Sequence, residues 1–554
     1  MGIPGLSSSL EPYAVPYNSI SVEGYAAVID GPALAYHAHQ LASEANKSGL
    51  PSYADINHVA IRWLKSLETI NVKVSAILFD GALPASKEQE RIARLQQMVR
   101  RVTQLRSIYS TTACPIPGQL GSVIYSFLAP SLMETLRTSE FAAFTHIMPG
   151  EADDWCASYA RDTPRSIIFT GDSDLLLYAY QPEVVVMFFR DTHYLPKSDT
   201  RVYCPSSICT RLKLPSLLLL AYVLSEHRTK NMNDNIQIAQ SYDAEAPGYI
   251  DFSRRYMYTL RGPAYIASSA EFNQILQTLD VRVSEFINQA LISSEEVLTP
   301  DVYPPLLFED PHEASAWKLG LDLRLLAYSL IMPESNTVVR ESIRRAQDVA
   351  GQTHSVLSLE TARQIGTELS ASITTLITRE ELLVKQRWFL VALAIALGEI
   401  KVPHSFLVAR VINGEFDETW AFVHLNARLQ AVLYSLRFLK QCISVWLTIH
   451  HDDGETRIVV SKLANALQSF PSIADMFDIP GQNTTIREHD APLHQAIKDV
   501  YASAGIEDEE LFQEPKTKRQ RKREKLRNRI KAQQSAPAPK STNIFALLEQ
   551  RTPQ

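Results

Sequence analysis

Cysteine is scarce in this chain. Its 554 residues hold five, at Cys114, Cys156, Cys204, Cys209 and Cys442, with no CxxC pair among them. An odd, scattered set of this kind indicates neither a zinc site nor a disulfide framework, and it predicts a reducing compartment. Long apolar runs are also missing. No stretch of about 18 uninterrupted apolar residues occurs, so no membrane span is expected; the longest run, around Leu217–Leu224, suits a buried helix. The opening MGIPGL lacks the basic region and apolar core of a signal peptide. Leu6 also stands where a myristoylation pattern needs Ser or Thr.

Positive charge is deficient everywhere except one segment. Ten of the 54 Lys and Arg residues fall between Lys516 and Lys531, with a single acid, Glu524. The rest of the chain carries 44 basic against 60 acidic residues. A protein that grips nucleic acid over its whole surface needs the opposite balance. Any nucleic-acid contact in the body is therefore local or carried by metal ions.

What is present is an alternation of short β-branched runs with helical stretches over the first 200 residues, the pattern of a mostly parallel sheet. AAVID (26–30), VSAILFD (74–80) and SIIFTGDSD (166–174) read as buried strands, with a weaker one at 184–189. Helical spacing occupies 56–67 and 87–106, where Ile92, Leu95, Val99 and Val102 form one stripe. Residues 111–122 read as a loop or mobile cap. Beyond about 205 the chain turns helical, at 217–224, 265–290, 358–383, 387–397 and 421–446.

Acids close the strands. Asp30 ends AAVID, Asp80 ends VSAILFD, and Asp172 and Asp174 follow SIIFTG; PGEADDW adds Glu151, Asp153 and Asp154 at a helix start. Ligands of open parallel sheets gather beyond the carboxyl ends of the strands. A single Asp there is ordinarily a turn or cap residue, and acids at a helix start follow from the helix dipole alone. Convergence of three strand ends and one helix start changes that reading. Clustered acids repel and are costly to bury unpaired, and hard cations such as Mg²⁺ or Mn²⁺ relieve them through oxygen ligands.

MGIPGL, AVIDG, FDGALPASKEQERIAR, PGEADDWCA and TGDSDLLLYA, in that order and spacing over residues 1–180, resemble the flap endonuclease/XPG superfamily of structure-specific nucleases, with a PIN-like fold. The divergent remainder is more similar to the Asteroid branch. The resemblance implies an α/β fold with a PIN-like, mostly parallel central sheet flanked by helices; the residue pattern beyond it reads as a largely α-helical C-terminal region and, from its charge and Pro/Ala/Ser content, a disordered basic tail. It divides the chain into an N-terminal part (1–110) and an internal part (111–204) of one nuclease domain, a degenerate helix-two-turn-helix-like segment (205–260), a helical domain (261–505) and the tail (506–554).

By position, the resemblance makes Asp30, Asp80, Glu151, Asp153, Asp172 and Asp174 ligands of two Mg²⁺ or Mn²⁺ ions. Lys87 and Arg94 match the family's basic catalytic residues, and Gly2 its N-terminal glycine near the metals. Glu226, in LLLLAYVLSEHRTK, is the candidate for a seventh carboxylate, although no Gly-rich clamp follows it. Helical spacing independently puts Lys87, Arg91, Arg94 and Arg101 on one basic face, with Arg91 and Arg101 as nucleic-acid contacts; a solvated helix face is the plainer alternative.

The expectation is a metal-dependent nuclease acting on single-stranded or branched DNA, or on RNA, in the nucleus, with the cytoplasm as alternative. The competing expectation is an inactive PIN-like scaffold. HHDDGE (450–455) reads as a turn before a strand-like RIVVS, and NMNDN (231–235) as a polar loop. The basic run, with Lys516, Lys518, Arg519, Arg521, Lys522 and Arg523, reads as a nuclear localisation signal or a nonspecific nucleic-acid tether. Ile544–Leu548 reads as a docking peptide for a protein partner or as a terminal helix packed on its own body.

Overall fold

The computed structural model describes residues 3–512 except 4, 18–21, 47–48, 85–86, 193–199, 228, 257–269, 293–298, 333–337, 452–453 and 483–489. Gly2, the basic run with Lys516 to Arg523, and Ile544–Leu548 lie outside the described residues.

Five strands form the central sheet: β1 (Ala26–Asp30), β2 (Lys73–Asp80), β3 (Thr145–Met148), β4 (Ser166–Thr170) and β5 (Val185–Phe188). Their order is β3-β2-β1-β4-β5, and every neighbouring pair is parallel. Both faces are covered, which is why these strands are continuously apolar rather than alternating. Along β1, Ala27 and Ile29 enter one core while Val28 enters the other.

Helices α1 (Gly31–Ala45), α2 (Tyr53–Glu68) and α4 (Leu128–Arg137) pack together over the first face, with α3 (Glu88–Ile108) between α2 and α4 in sequence. A capping box starts α2, Ser52 receiving the Asp55 N–H while the Asp55 side chain returns to the Ser52 N–H. The second face is covered by Leu6–Leu10, α5 (Ala152–Asp162) and α6 (Leu217–Glu226).

The first core runs without a break into the C-terminal half. There α7 (Val281–Ile287) and α8 (Leu321–Ile331) pack around α9 (Trp420–Ile449), a 30-residue helix buried along most of its length. Between α8 and α9 an antiparallel hairpin, β6 (Val338–Arg345) and β7 (Asp348–Ser355), lies against α3.

Several local expectations are corrected. RIVVS is not a strand but part of the helix Glu455–Ala466, which buries Val460, Leu463 and Ala466 at helical spacing. Asn231 is an N-cap, and Met232–Ser241 is helical rather than a loop. The continuous helix expected over 265–290 is interrupted, because Asp280 caps a new one, accepting from the Arg282 N–H. The 111–122 stretch is tied to the C-terminal half: the Cys114 N–H donates to the Glu418 carbonyl at 2.6 Å and the Trp420 N–H to the Thr112 carbonyl at 3.0 Å. Residues 511 and 512, expected within the tail, pack on the body: the Ser405 hydroxyl donates to the Leu511 carbonyl and Phe512 packs on Tyr501.

Candidate active site

The parallel sheet delivers its acids to one edge. Asp30 is the last residue of β1 and the N-cap of α1, with Oδ1 accepting from the Ala33 N–H at 3.0 Å. Its Oδ2 accepts from the Thr170 hydroxyl at 2.7 Å, so the end of β4 orients the carboxylate of β1. Asp80 ends β2 and accepts the Ala152 N–H at 2.8 Å, joining that strand to the first turn of α5. The turn after Asp80 needs glycine. A Cβ on Gly81 would lie 2.0 Å from the Met148 carbonyl oxygen, because the ends of β2 and β3 meet there.

Beyond β4, Thr170 Oγ1 receives the Asp172 N–H at 2.9 Å and Asp172 Oδ1 receives the Asp174 N–H at 3.0 Å. Asp174 accepts from the Ile3 N–H at 2.9 Å and from the Tyr256 hydroxyl at 3.1 Å. Glu151, the N-cap of α5, pairs with the Lys87 ammonium at 2.6 Å. Asp154 takes the Tyr178 hydroxyl at 2.5 Å.

These carboxylates feel burial and one another. Asp30 is 6% exposed; burial first, then Asp80 and Asp172, push its carboxyl up to about 6 against the bonds from Ala33 and Thr170. Asp153 is raised well above the usual range by burial and by Asp30, Asp172, Asp80 and Glu151 together. Burial raises Asp80, with Glu151 adding to it and Lys87 and Arg91 opposing. Burial and Asp172 raise Asp174. The buried Cys156 thiol, behind the cluster, is pushed up by burial and then by Asp30, Asp153 and Asp80. Lys87 loses some basicity to burial, but Glu151 and Asp153 more than restore it.

Such a donor set suits a hard divalent cation: the groups are carboxylate oxygens, withdrawn from water and mutually repelling. As they stand, no three His, Cys, Asp or Glu side chains among the described residues converge to enclose an ion. Backbone N–H groups, the Thr170, Tyr178 and Tyr256 hydroxyls and Lys87 meet acids of the site instead.

The remaining expected residues are dispersed. Arg94 is exposed and paired with Glu90 on its own helix. Arg91 is turned to the C-terminal half, where Nη1 meets both Glu285 oxygens at 2.8 and 2.9 Å. Arg101 donates to the Leu120 carbonyl at 3.1 Å. Glu226 is exposed at the end of α6. Sequence reasoning missed Thr170, Tyr256 and Glu285. Thr170, flanking the GDSD segment, carried a local signal; the other two lie far from the motifs in sequence.

Residues 124–356 match the family described as XPG domain containing, a segment that includes Glu151, Asp153, Asp172 and Asp174. Over that segment the chain is similar to XPG-type domains. It is also similar to Asteroid homolog 1 of the fission yeast Schizosaccharomyces pombe, 29% identical over 185 residues. That similarity covers 32% of this chain and 30% of the yeast protein, so the chain spans under a third of that relative. A crystal structure of human GEN1 in complex with Holliday junction DNA overlaps 44% of this chain and 56% of its own, at 17% identity and a TM-score of 0.28.

Proposed function

We propose that the protein is a divalent-metal-dependent phosphodiesterase that cuts single-stranded or branched nucleic acid. The observation that carries this reading is the set of buried or half-buried, mutually repelling carboxylates at the ends of β1 and β2, just beyond β4 and at the start of α5. Nothing in the packing of a parallel sheet requires them there, and an uncompensated buried charge is destabilising.

Asp30, Asp80, Glu151, Asp153, Asp172 and Asp174 would hold two Mg²⁺ or Mn²⁺ ions. When bound, the ions supply Lewis-acid activation of water and stabilisation of the leaving oxygen. The chain's own residues do the rest. Thr170 and the Ala152 N–H fix the orientation of Asp30 and Asp80. Lys87, at the rim on Glu151, and Arg94, exposed beside Glu90, would neutralise non-bridging phosphate oxygens.

The test is cleavage of 5′-labelled single-stranded, flapped and duplex DNA and of matched RNA, with Mn²⁺ or Mg²⁺, beside the Asp172→Asn/Asp174→Asn double variant. Activity lost in the variant and in EDTA supports the nuclease, and the substrate ranking chooses DNA or RNA. No cleavage of any substrate by folded protein refutes it. A second reading, a catalytically inactive PIN-like scaffold, is favoured by one observation: Lys87 already occupies Glu151, while Ile3 and Tyr256 occupy both oxygens of Asp174.

A further inference from the structure

The acids of the candidate site come from the first 180 residues, but the helix that presents Lys87 is not held by that part alone. Along α3, Glu88 pairs with Arg340 of β6 at 2.9 Å, Gln96 donates to Asp348 of β7 at 2.6 Å, and Arg106 donates to Asp310 at 2.9 Å. The Glu88 pair is largely solvated, with side chains 36% and 41% exposed, and such pairs contribute little. The contact at Arg91 differs. Its guanidinium is 15% exposed, faces Glu285 at 8%, and lies 4.4 Å from the centre of the Tyr303 ring.

Glu285 thus holds the first turn of α3 through Arg91. Burial pushes its carboxyl up, and Arg91, Arg282 and the Leu83 N–H pull it back. One turn earlier on α7, Val281 lines a small cavity with Asp80, Phe79 and Pro32. One carboxylate from the C-terminal half therefore grips α3 at Arg91, one turn after Lys87.

We propose that Glu285 is a positioning residue for the phosphate-neutralising Lys87. It fixes Arg91 so that the Lys87 ammonium stands at the acidic cluster before any substrate arrives, with Tyr303 stacking under Arg91. This rests on the nuclease reading for its catalytic consequence, not for its structural one. A merely structural ion pair would stabilise the fold without being coupled to Lys87.

The experiment uses the full chain as wild type, Glu285→Gln, Lys87→Ala and the double variant. The first readout, independent of activity, is hydrogen exchange of the amides of residues 87–91. Glu285→Gln speeds that exchange about tenfold or more, while the amides of β1 and β4 keep their protection. The second is steady-state cleavage of the best substrate. Glu285→Gln lowers kcat roughly 10- to 100-fold with KM little changed, as expected for a misplaced catalytic group. The loss is absent from the Lys87→Ala background, and Glu285→Asp recovers part of it. Tyr303→Leu, which removes the ring but leaves the ion pair, gives the same pattern more weakly. Unchanged exchange, or losses that multiply in the double variant, would overturn the proposal. If the wild type cuts nothing, the nuclease reading falls, and exchange alone decides whether Glu285 fixes this segment.

Discussion

Replacing Asp30 by Asn removes one charge from the cluster and little else. Its Oδ1 still caps α1 at Ala33, and the amide can donate to the Thr170 oxygen that now receives the Asp172 N–H. The carboxyl is pushed from 3.8 to about 6, chiefly by burial and then by Asp80 and Asp172. A raised acid costs stability above its folded pKa, and two units at about 1.4 kcal/mol each amount to about 3 kcal/mol as an upper figure. Part of that is lost through the altered Thr170 contact, so the expected gain for Asp30→Asn in EDTA at neutral pH is about 1–3 kcal/mol. Urea unfolding followed by tryptophan fluorescence measures it. With Mn²⁺ in about hundredfold excess over Kd, the wild type gains about 2.7 kcal/mol and the variant much less, so the order narrows or reverses. A variant equal to or less stable than wild type in EDTA would refute the claim that these charges strain the fold.

Other consequences follow from equally local contacts. Glu341, 1% exposed, bonds Arg324 at 2.7 and 2.9 Å and accepts the Tyr328 hydroxyl; Glu341→Ala is expected to cost about 3–5 kcal/mol in thermal or urea unfolding. Burial pushes that carboxyl up, but Arg324 and Tyr328 outweigh it and hold it below its usual value. Its contribution is thus full above about pH 4.3 and is lost as pH falls through the lower folded value, so the difference between Glu341→Gln and wild type should shrink in acid. Gly81→Ala brings a methyl against the Met148 carbonyl and should cost about 3 kcal/mol, with circular dichroism and unfolding as the check. Tyr256→Phe removes the hydroxyl on Asp174 and should weaken Mn²⁺ binding about 10- to 100-fold in a titration, at the same fold.

The sheet and its acids were legible because parallel strands are apolar on both faces and each motif ends its strand. AAVID and VSAILFD needed no distant partner to be recognised. The hairpin β6–β7 was not legible, because its buried positions include Glu341 and Arg344, charges that read as surface until Arg324 and Glu309 are placed beside them. THIM, as β3, is four residues at a sheet edge and too short to carry a period. RIVVS misled through its β-branched residues, since helical burial of Val460, Leu463 and Ala466 prevails over local propensity. Within the site, the strand-end acids were readable from spacing alone. The fate of Arg91 was not, because its partner Glu285 lies 194 residues away in sequence.

The most direct test of the acidic cluster as a cation site is Mn²⁺ binding to the full chain, by calorimetry or by the loss of the free-ion paramagnetic signal, for wild type and Asp153→Asn. Burial, and then Asp30, Asp172, Asp80 and Glu151, raise the Asp153 carboxyl well above the usual range. Saturable binding by wild type, weakened at least about tenfold in the variant, is the predicted result. Absence of binding by folded wild-type protein, or equal binding by both, would contradict it.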